Sequence, residues 1–299
     1  MKQISVVIPT HNRNASLKQT LQALLDQSYP FKHIEIIVCD DGSTDKTSHL
    51  MATLVKKYPH QVRYLRQTQK GPAAARNLGI LKAQGEIIAF TDDDCLPDKD
   101  WVLHIVSSFQ RHPNIIGVEG KTVPDTNTTD LMTYTVINET GGNYFTCNIA
   151  YTRKVLQNLK GFDETFRYSH CEDIDLARRV LENGQIVFIP QALVIHPARR
   201  ANLLSGIKRL KYLADEFRLY KKHEPYFSQF FPTSSFFLVC LLITFGNHIW
   251  YRFRLLWESR KRFVHNPMLW CIFFLKNGIE ILYVILRFPT AYWSVAWDR

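Results

Sequence analysis

Residues 85–101 read GEIIAFTDDDCLPDKDW, and the run up to Asp94 decides the fold. The apolar stretch 86–91 predicts a short buried strand. It ends on three adjacent carboxylates, Asp92, Asp93 and Asp94. Carboxylates clustered at a strand end repel one another and give up solvation. A structural role seldom demands that arrangement, and a divalent cation relieves it. Two more acidic groups frame the triplet: Asp40-Asp41 follows the apolar run 34–39, and Glu172-Asp173 opens a helical pattern. In open α/β sheets ligands bind beyond the carboxyl ends of the strands. Hard oxygen ligands at such an edge suit Mg²⁺ or Mn²⁺ holding a diphosphate.

Working outward, apolar runs alternate with helical patterns from residue 3 to about 196. Strands are predicted at 4–9, 34–39, 62–66, 86–91 and 116–120. Helices are predicted at 14–27, 45–58, 72–83, 99–111 and 172–183. Strand alternating with helix implies an α/β domain, a mostly parallel sheet with helices on both faces. The helix from 172 is expected to lay Ile174, Ala177 and Leu181 on one stripe, with Leu176 and Val180 beside it, and to stop near Gly184. The segment 121–150, rich in Thr and Asn, reads as loop with an irregular strand.

Charge divides the chain. Its 299 residues carry a net charge of +10, with 37 Lys+Arg and 27 Asp+Glu. Residues 199–299 hold 16 basic and 6 acidic side chains, so residues 1–198 balance at 21 each and the whole excess lies in the last third. We therefore expect two parts, a domain over 1–198 and a basic, helical, membrane-associated region over 199–299. A basic tail calls for an anionic partner. This one is also rich in Phe, Leu, Ile, Trp and Tyr, which favours an anionic membrane surface over nucleic acid. Residues 203–222 place Leu203, Ile207, Leu210, Ala214 and Phe217 on one face of a basic amphipathic helix. Two apolar stretches follow, 236–250 and 268–288. The second contains Lys276 and Glu280, each costing roughly 2.5–3.5 kcal/mol at a bilayer centre, in part offset by their i,i+4 pairing. A two-span hairpin would export the connector bearing Arg252, Arg254, Arg260, Lys261 and Arg262, against the positive-inside tendency. Interfacial or re-entrant helices are the preferred reading.

Cys39, Cys95, Cys147, Cys171, Cys240 and Cys271 form no CxxC pair and no zinc spacing. The start, Met1-Lys2-Gln3-Ile4, runs straight into a strand without a signal-peptide pattern. Reduced thiols on the cytoplasmic side are the expectation. No P-loop or GxGxxG fingerprint competes for a nucleotide.

Six segments carry a family resemblance: SVVIPTHNR (5–13), IIVCDDGSTD (36–45), GPAAARNLGI (71–80), GEIIAFTDDDCLPDKDW (85–101), CNIAYTRKVLQNLKGFDE (147–164) and EDIDLARRVLENG (172–184). In this order they resemble the family 2 glycosyltransferases, inverting enzymes of the GT-A fold. The resemblance covers the first 196 residues or so. It implies transfer of a sugar from a nucleotide-diphosphate donor, UDP-sugar favoured, to a saccharide or lipid-linked acceptor in cell-surface polysaccharide or glycolipid assembly. Asp92 and Asp94 match the family's D-x-D pair, with Mn²⁺ or Mg²⁺ as cofactor, and Asp93 orients the sugar or ribose. Asp41 matches the residue that accepts the imide N–H of the base; the bland alternative is a turn role within Asp-Gly-Ser-Thr-Asp, where Asp45 suits helix capping better. Thr10 and Arg13 fall where the family contacts the nucleotide, and Gly71 and Arg76 where it flanks base and diphosphate. Asp173 matches the general base of the E-D pair, Glu172 an acceptor-orienting residue, His196 a residue near metal or diphosphate. Asn148 and Tyr151 are expected on the acceptor side. Carboxylates at a helix start are also favoured by the dipole alone. The alternatives are a nucleotidyltransferase of similar fold, disfavoured by a first loop reading Pro9-Thr10-His11-Asn12-Arg13, and a non-catalytic scaffold, which would not need the acidic groups.

Overall fold

The computed structural model describes residues 3–125, 133–166, 168–200 and 212–227, together with Cys240, Phe288, Ala291, Tyr292 and Val295. The chain separates into two compact units, Met1–Arg199 and Arg200–Arg299.

In the first unit the order is β1 (Ile4–Thr10), α1 (Asn14–Leu25), β2 (Ile34–Asp40), α2 (Thr47–Lys57), β3 (Val62–Arg66), α3 (Pro72–Lys82), β4 (Ile87–Phe90), β5 (Leu96–Pro97), α4 (Trp101–Arg111), β6 (Ile115–Val123), β7 (Thr133–Tyr134), β8 (Ile149–Thr152), α5 (Arg153–Asn158), α6 (Glu172–Leu181), β9 (Gln185–Ile195) and β10 (Arg199–Arg200). Eight strands form one sheet in the order β3-β2-β1-β4-β8-β6-β9-β5, and β7 and β10 form a two-stranded one. β1 runs parallel to β2 and β4, and β6 parallel to β9. The single strand β8, antiparallel to both β4 and β6, joins these parallel blocks.

Alternation along the strands builds the layers. Val6 and Ile8 point to one face of the sheet, where Leu17, Leu21 and Leu24 of α1, Met51 of α2 and Trp101, Val102, Ile105 and Val106 of α4 cover them. Val7, Ile37, Ile88 and Phe90 point to the other, under α3, α5 and α6. Both faces are covered, so β1 and β2 are mostly apolar and buried along nearly their whole length. Strand order reverses at β1, which sits between β2 and β4. That switch point opens a crevice between the loops leaving β1 and β4, and the acidic triplet stands in it. Since β9 shares the direction of β4, its carboxyl end, Ile195, delivers His196 to the same edge.

Helix α6 departs from its expected stripe. Leu176, Ala177 and Val180 are buried with Glu172, while Ile174 and Leu181 are only half-buried. Glu172 on that buried face is paired with Arg76.

The second unit contains α7 (Leu213–Lys222) and α8 (Glu224–Phe227). Leu213 and Phe217 pack with Cys240, Ala291 and Val295. Most of the apolar stretches 236–250 and 268–288, and the first half of the amphipathic pattern 203–222, lie outside the described residues. Among the described residues, no helix is long and apolar enough to cross a membrane.

Candidate active site

Three loops at the carboxyl edge supply the site. The first leaves β1 with Thr10 and Arg13. Thr10 Oγ1 donates to Asp93 Oδ2 at 2.7 Å. Arg13 Nη1 donates to Asp93 Oδ1 at 3.1 Å and to Asp94 Oδ2 at 2.9 Å. Asp93 is thereby tied to the β1 loop, and burial nevertheless raises its pKa.

The second loop presents Asp41, whose carboxylate is heavily engaged. Oδ1 accepts from Gln67 Nε2 and from the Lys70 N–H, both at 2.8 Å, and Oδ2 accepts from the Gly71 N–H at 2.8 Å. Asp41 thus pins the segment 67–71 that leads into α3. Gly71 has φ 100° and precedes Pro72 at the start of that helix, a conformation glycine adopts without strain. Asp45 accepts from Thr47 N at 3.0 Å and Asn14 N at 2.9 Å, serving the starts of two helices.

The third loop is the triplet itself. Ligand atoms of Asp92, Asp94, Cys95 and His196 all lie within 4.8 Å of one another. Asp94 Oδ1 is buried without a hydrogen-bond partner, and His196 Nε2 stands 3.9 Å from it. Buried carboxylate oxygens are ordinarily paired, so this oxygen and imidazole fit a hard divalent cation. Cys95 fits less well, because hydrogen bonding with Cys147 and burial hold its thiol pKa well above the usual value. Arg199, which the sequence reading missed, donates to Asp94. Its only signal in the sequence was its place three residues beyond His196.

Arg76 ties the triplet to the helix that carries the expected base. It is 1% exposed, donates from Nη2 to Asp92 Oδ1 at 2.9 Å and from Nη1 to Glu172 Oε1 at 2.8 Å. Phe162 underlies the guanidinium at 5.6 Å. Burial works against the charge of Arg76, but Asp92 and Glu172 outweigh it and keep its pKa above the ordinary value. Burial pushes Glu172 up to about 7; the Asp173 charge adds to this and Arg76 opposes it. Asp173 Oδ1 accepts from the Ile174 N–H at 2.9 Å, which orients the carboxylate, and burial raises its pKa too.

Asn148 and Tyr151 are placed in the sheet interior. Asn148 donates to Lys121 O and Ala192 O at 2.7 and 2.9 Å and accepts from Trp101 Nε1 at 2.8 Å, stitching β6 and β9 to α4. Its side chain is therefore committed to structure rather than standing on an acceptor wall. Tyr151 is 1% exposed, its ring beside Phe90.

Comparison with known proteins agrees with this geometry. Residues 5–172 match the family model described as Glycosyl transferase family 2. An uncharacterized glycosyltransferase of Haemophilus influenzae is 42% identical over 94 residues, 31% of this chain and 37% of that protein. The probable glycosyltransferase YdaM of Bacillus subtilis is 27% identical over 280 residues, 83% of this chain and 66% of the relative. The matches thus span from about a third to about two thirds of these relatives. Among solved structures, a Pyrobaculum calidifontis mannosyltransferase in complex with GDP-Man and Mn²⁺ superposes with TM-score 0.62 at 18% identity, over 99% of this chain and 88% of that one. Staphylococcus aureus TarS 1-349 in complex with UDP-GlcNAc superposes with TM-score 0.55 at 20% identity, over 72% of this chain and 65% of that one. At these identities the likeness speaks for the fold, an α/β GT-A-like sheet with its helices. The chain belongs to the glycosyl transferase family 2.

Proposed function

We propose that this protein is an inverting, metal-dependent glycosyltransferase that moves a sugar from a nucleotide-diphosphate donor, UDP-sugar favoured, to an acceptor hydroxyl. One observation carries the reading: Arg76 joins Asp92, on the cation side, to Glu172, next to the expected base, in a single buried network. Asp92, Asp94 and His196 would hold Mn²⁺ or Mg²⁺, which supplies Lewis-acid neutralisation of the leaving diphosphate. Arg13 and Arg199, already against Asp94, place positive charge where diphosphate oxygens arrive. Thr10, Asp41, Gly71 and Arg76 shape the nucleotide side, and Asp93 the sugar or ribose. Asp173 removes the acceptor proton as that oxygen attacks the anomeric carbon. The bond from that carbon to the diphosphate oxygen breaks, and the nucleoside diphosphate leaves with the electron pair. Its raised pKa brings Asp173 nearer the working pH, where a general base is most effective.

Calorimetry tests the metal side. UDP is expected to bind wild type more tightly in Mn²⁺ than in EDTA, and Asp94→Ala is expected to lose that difference together with turnover. Equal UDP affinity in all four combinations would remove the cation from the reading.

The acceptor belongs, in this reading, to cell-surface polysaccharide or glycolipid assembly at the cytoplasmic membrane face. The names of two relatives agree: a Bacillus subtilis minor teichoic acid biosynthesis protein and a Staphylococcus aureus poly(ribitol-phosphate) β-N-acetylglucosaminyltransferase, each 29% identical over part of this chain. The concentration of positive charge in residues 199–299 supports a peripheral membrane contact, at about 1 kcal/mol per basic residue near an anionic surface. The full chain should float with anionic liposomes at low salt and resist a high-salt wash. A chain that stays in the soluble fraction beside such liposomes would refute the membrane contact.

A further inference from the structure

We propose that Asn77 and Arg179 are positioning residues for the transfer step. They hold residues 159–162 so that the Phe162 ring seats the guanidinium of Arg76, and Arg76 in turn sets the Glu172 carboxylate at the start of α6, next to Asp173. The proposal rests on the transferase reading and on Asp173 being the base.

Arg76 needs a seat because its hydrogen bonds alone do not fix it. Nη1 and Nη2 are spent on Glu172 Oε1 and Asp92 Oδ1, at 2.8 and 2.9 Å. Nε is buried and has no hydrogen-bond partner among the described residues. A guanidinium tied only at its two outer nitrogens still tilts about the line that joins them. A surface against its face stops that tilt, and the Phe162 ring is such a surface, its centroid 5.6 Å from Cζ. Phe162 in turn stands edge-on to Phe90, the last residue of β4, with ring centroids 5.3 Å apart and planes at 88°. The tilt matters for rate, because a misplacement of roughly 1 Å in a positioned group costs about 10²-fold.

The ring points where residues 159–162 send it, and that stretch is a turn beyond the end of α5 in which Lys160 and Gly161 both have positive φ, 60° and 70°. Two helices grip it. Asn77 of α3, the neighbour of Arg76, pairs with both backbone groups of Phe162: its Oδ1 accepts from the N–H at 2.8 Å and its Nδ2 donates to the carbonyl at 2.9 Å. Arg179 of α6 donates from Nη1 to Leu159 O at 3.0 Å and from Nη2 to Gly161 O at 2.9 Å. The fork of Arg179 is oriented by Asp175 Oδ2, which accepts from Nε at 3.0 Å and Nη2 at 2.8 Å. The grip is tight enough to demand glycine, since a Cβ on Gly161 would meet Asn77 Oδ1 at 2.3 Å. Helices α3 and α6 are thus joined twice, directly by Arg76 and Glu172 and again through residues 159–162. The second link meets the first at the Phe162 ring.

The test uses the full chain with ¹⁵N-labelled arginine, and hydrolysis of the UDP-sugar that the wild type turns over in Mn²⁺, with water in place of the acceptor. In the wild type the two Nη groups of Arg76, held by different carboxylates, should give separate NMR signals, assigned by their loss in Arg76→Lys. Phe162→Leu keeps apolar volume and both hydrogen bonds to Asn77 but removes the flat face. Asn77→Ala removes the grip, and Arg179→Lys, which cannot reach both carbonyls, should follow it. In each variant, below its thermal midpoint, the two signals should merge and kcat should fall roughly tenfold or more, with a smaller loss of UDP affinity in Mn²⁺. Added to Arg76→Lys, Asn77→Ala should cost less than about a further twofold, because the path it acts through is already broken. Separate signals with the wild-type kcat in Phe162→Leu overturn the proposal, even where Asn77→Ala does not fold. A full Asn77→Ala loss that persists on the Arg76→Lys background also overturns it, marking a merely structural role. Equal losses of kcat and UDP affinity place the effect on the donor and overturn it as well. Failure of the transferase reading shows separately, as a wild type that hydrolyses no nucleotide sugar.

Discussion

In Asp173→Asn, sugar transfer is expected to fall by roughly 10²–10⁴-fold with donor binding nearly intact, the loss of one general base. The substitution keeps size and shape but leaves no group able to take the acceptor proton. Asp173 stands in the first turn of α6 beside Glu172 and Asp175. Its Oδ1 is held by the Ile174 N–H at 2.9 Å, so the carboxylate has a set orientation. The competing explanation is that the helix dipole alone favours an acid there, worth about 0.3–1 kcal/mol. The two separate cleanly. A dipole role moves the thermal midpoint slightly and leaves the rate alone, whereas a base role moves the rate and leaves UDP affinity alone. Single-turnover kinetics alongside calorimetry reads both, and a variant with the wild-type rate would remove Asp173 from the role.

Strands buried on both faces were the most legible part of the fold. β1 and β2 are mostly apolar and buried along nearly their whole length, and such runs announce themselves without periodicity. β8 was not legible, because Ile149–Thr152 is four residues long and lies in a Thr- and Asn-rich segment. The end of β9, closed by His196, was legible, but its full length was masked by Pro190. A proline inside a run argues against a strand, but here it falls in the register shift between Gly120 and Lys121, where Ile189 and Leu193 are the residues paired with β6 and those between them have no counterpart on that strand. Site residues followed the same division. The acidic types could be read where they stood in the sequence, but their partners could not. Asp41 takes its donors from residues 26 to 30 positions away, and Arg76 reaches Glu172 across 96. Asn77, a polar residue in a helical pattern, carried no signal of its own, because the turn that it grips lies 85 positions away. The α6 stripe was set slightly off: its buried face is Leu176, Ala177 and Val180, joined by Glu172, whose partner Arg76 lies far along the chain.

That ion pair carries the largest expected effect on stability. Arg76→Met keeps an unbranched stem and removes the charge, leaving Glu172 buried without a counter-ion and Asp92 with one partner fewer. Breaking a buried pair from one side costs about 3–5 kcal/mol, and in a domain of this size each kcal/mol moves the midpoint by about 2–4 °C, so a fall near 10 °C is expected at pH 8. The loss should shrink on acidification. Burial, with the Asp173 charge, already raises Glu172 to about 7 against the opposition of Arg76, and removing Arg76 lifts it further. An acid whose folded pKa exceeds its unfolded value stabilises the fold while protonated and loses that contribution as pH rises through the folded pKa. Near pH 5.5 the variant holds Glu172 neutral and should recover much of the difference. At pH 8 the charge must either stay in the interior or draw the helix open. Adding Glu172→Gln to Arg76→Met removes the orphaned charge outright. The double variant should be more stable than Arg76→Met alone at pH 8, a coupling that residues in contact show and distant ones do not. Thermal melts of the wild type, both single variants and the double variant at the two pH values decide the matter. If Arg76→Met loses the same stability at pH 5.5 as at pH 8, and Glu172→Gln restores none of it, then Arg76 acts through packing on Phe162 rather than through charge. The link it makes between Asp92 and Glu172 would then be steric.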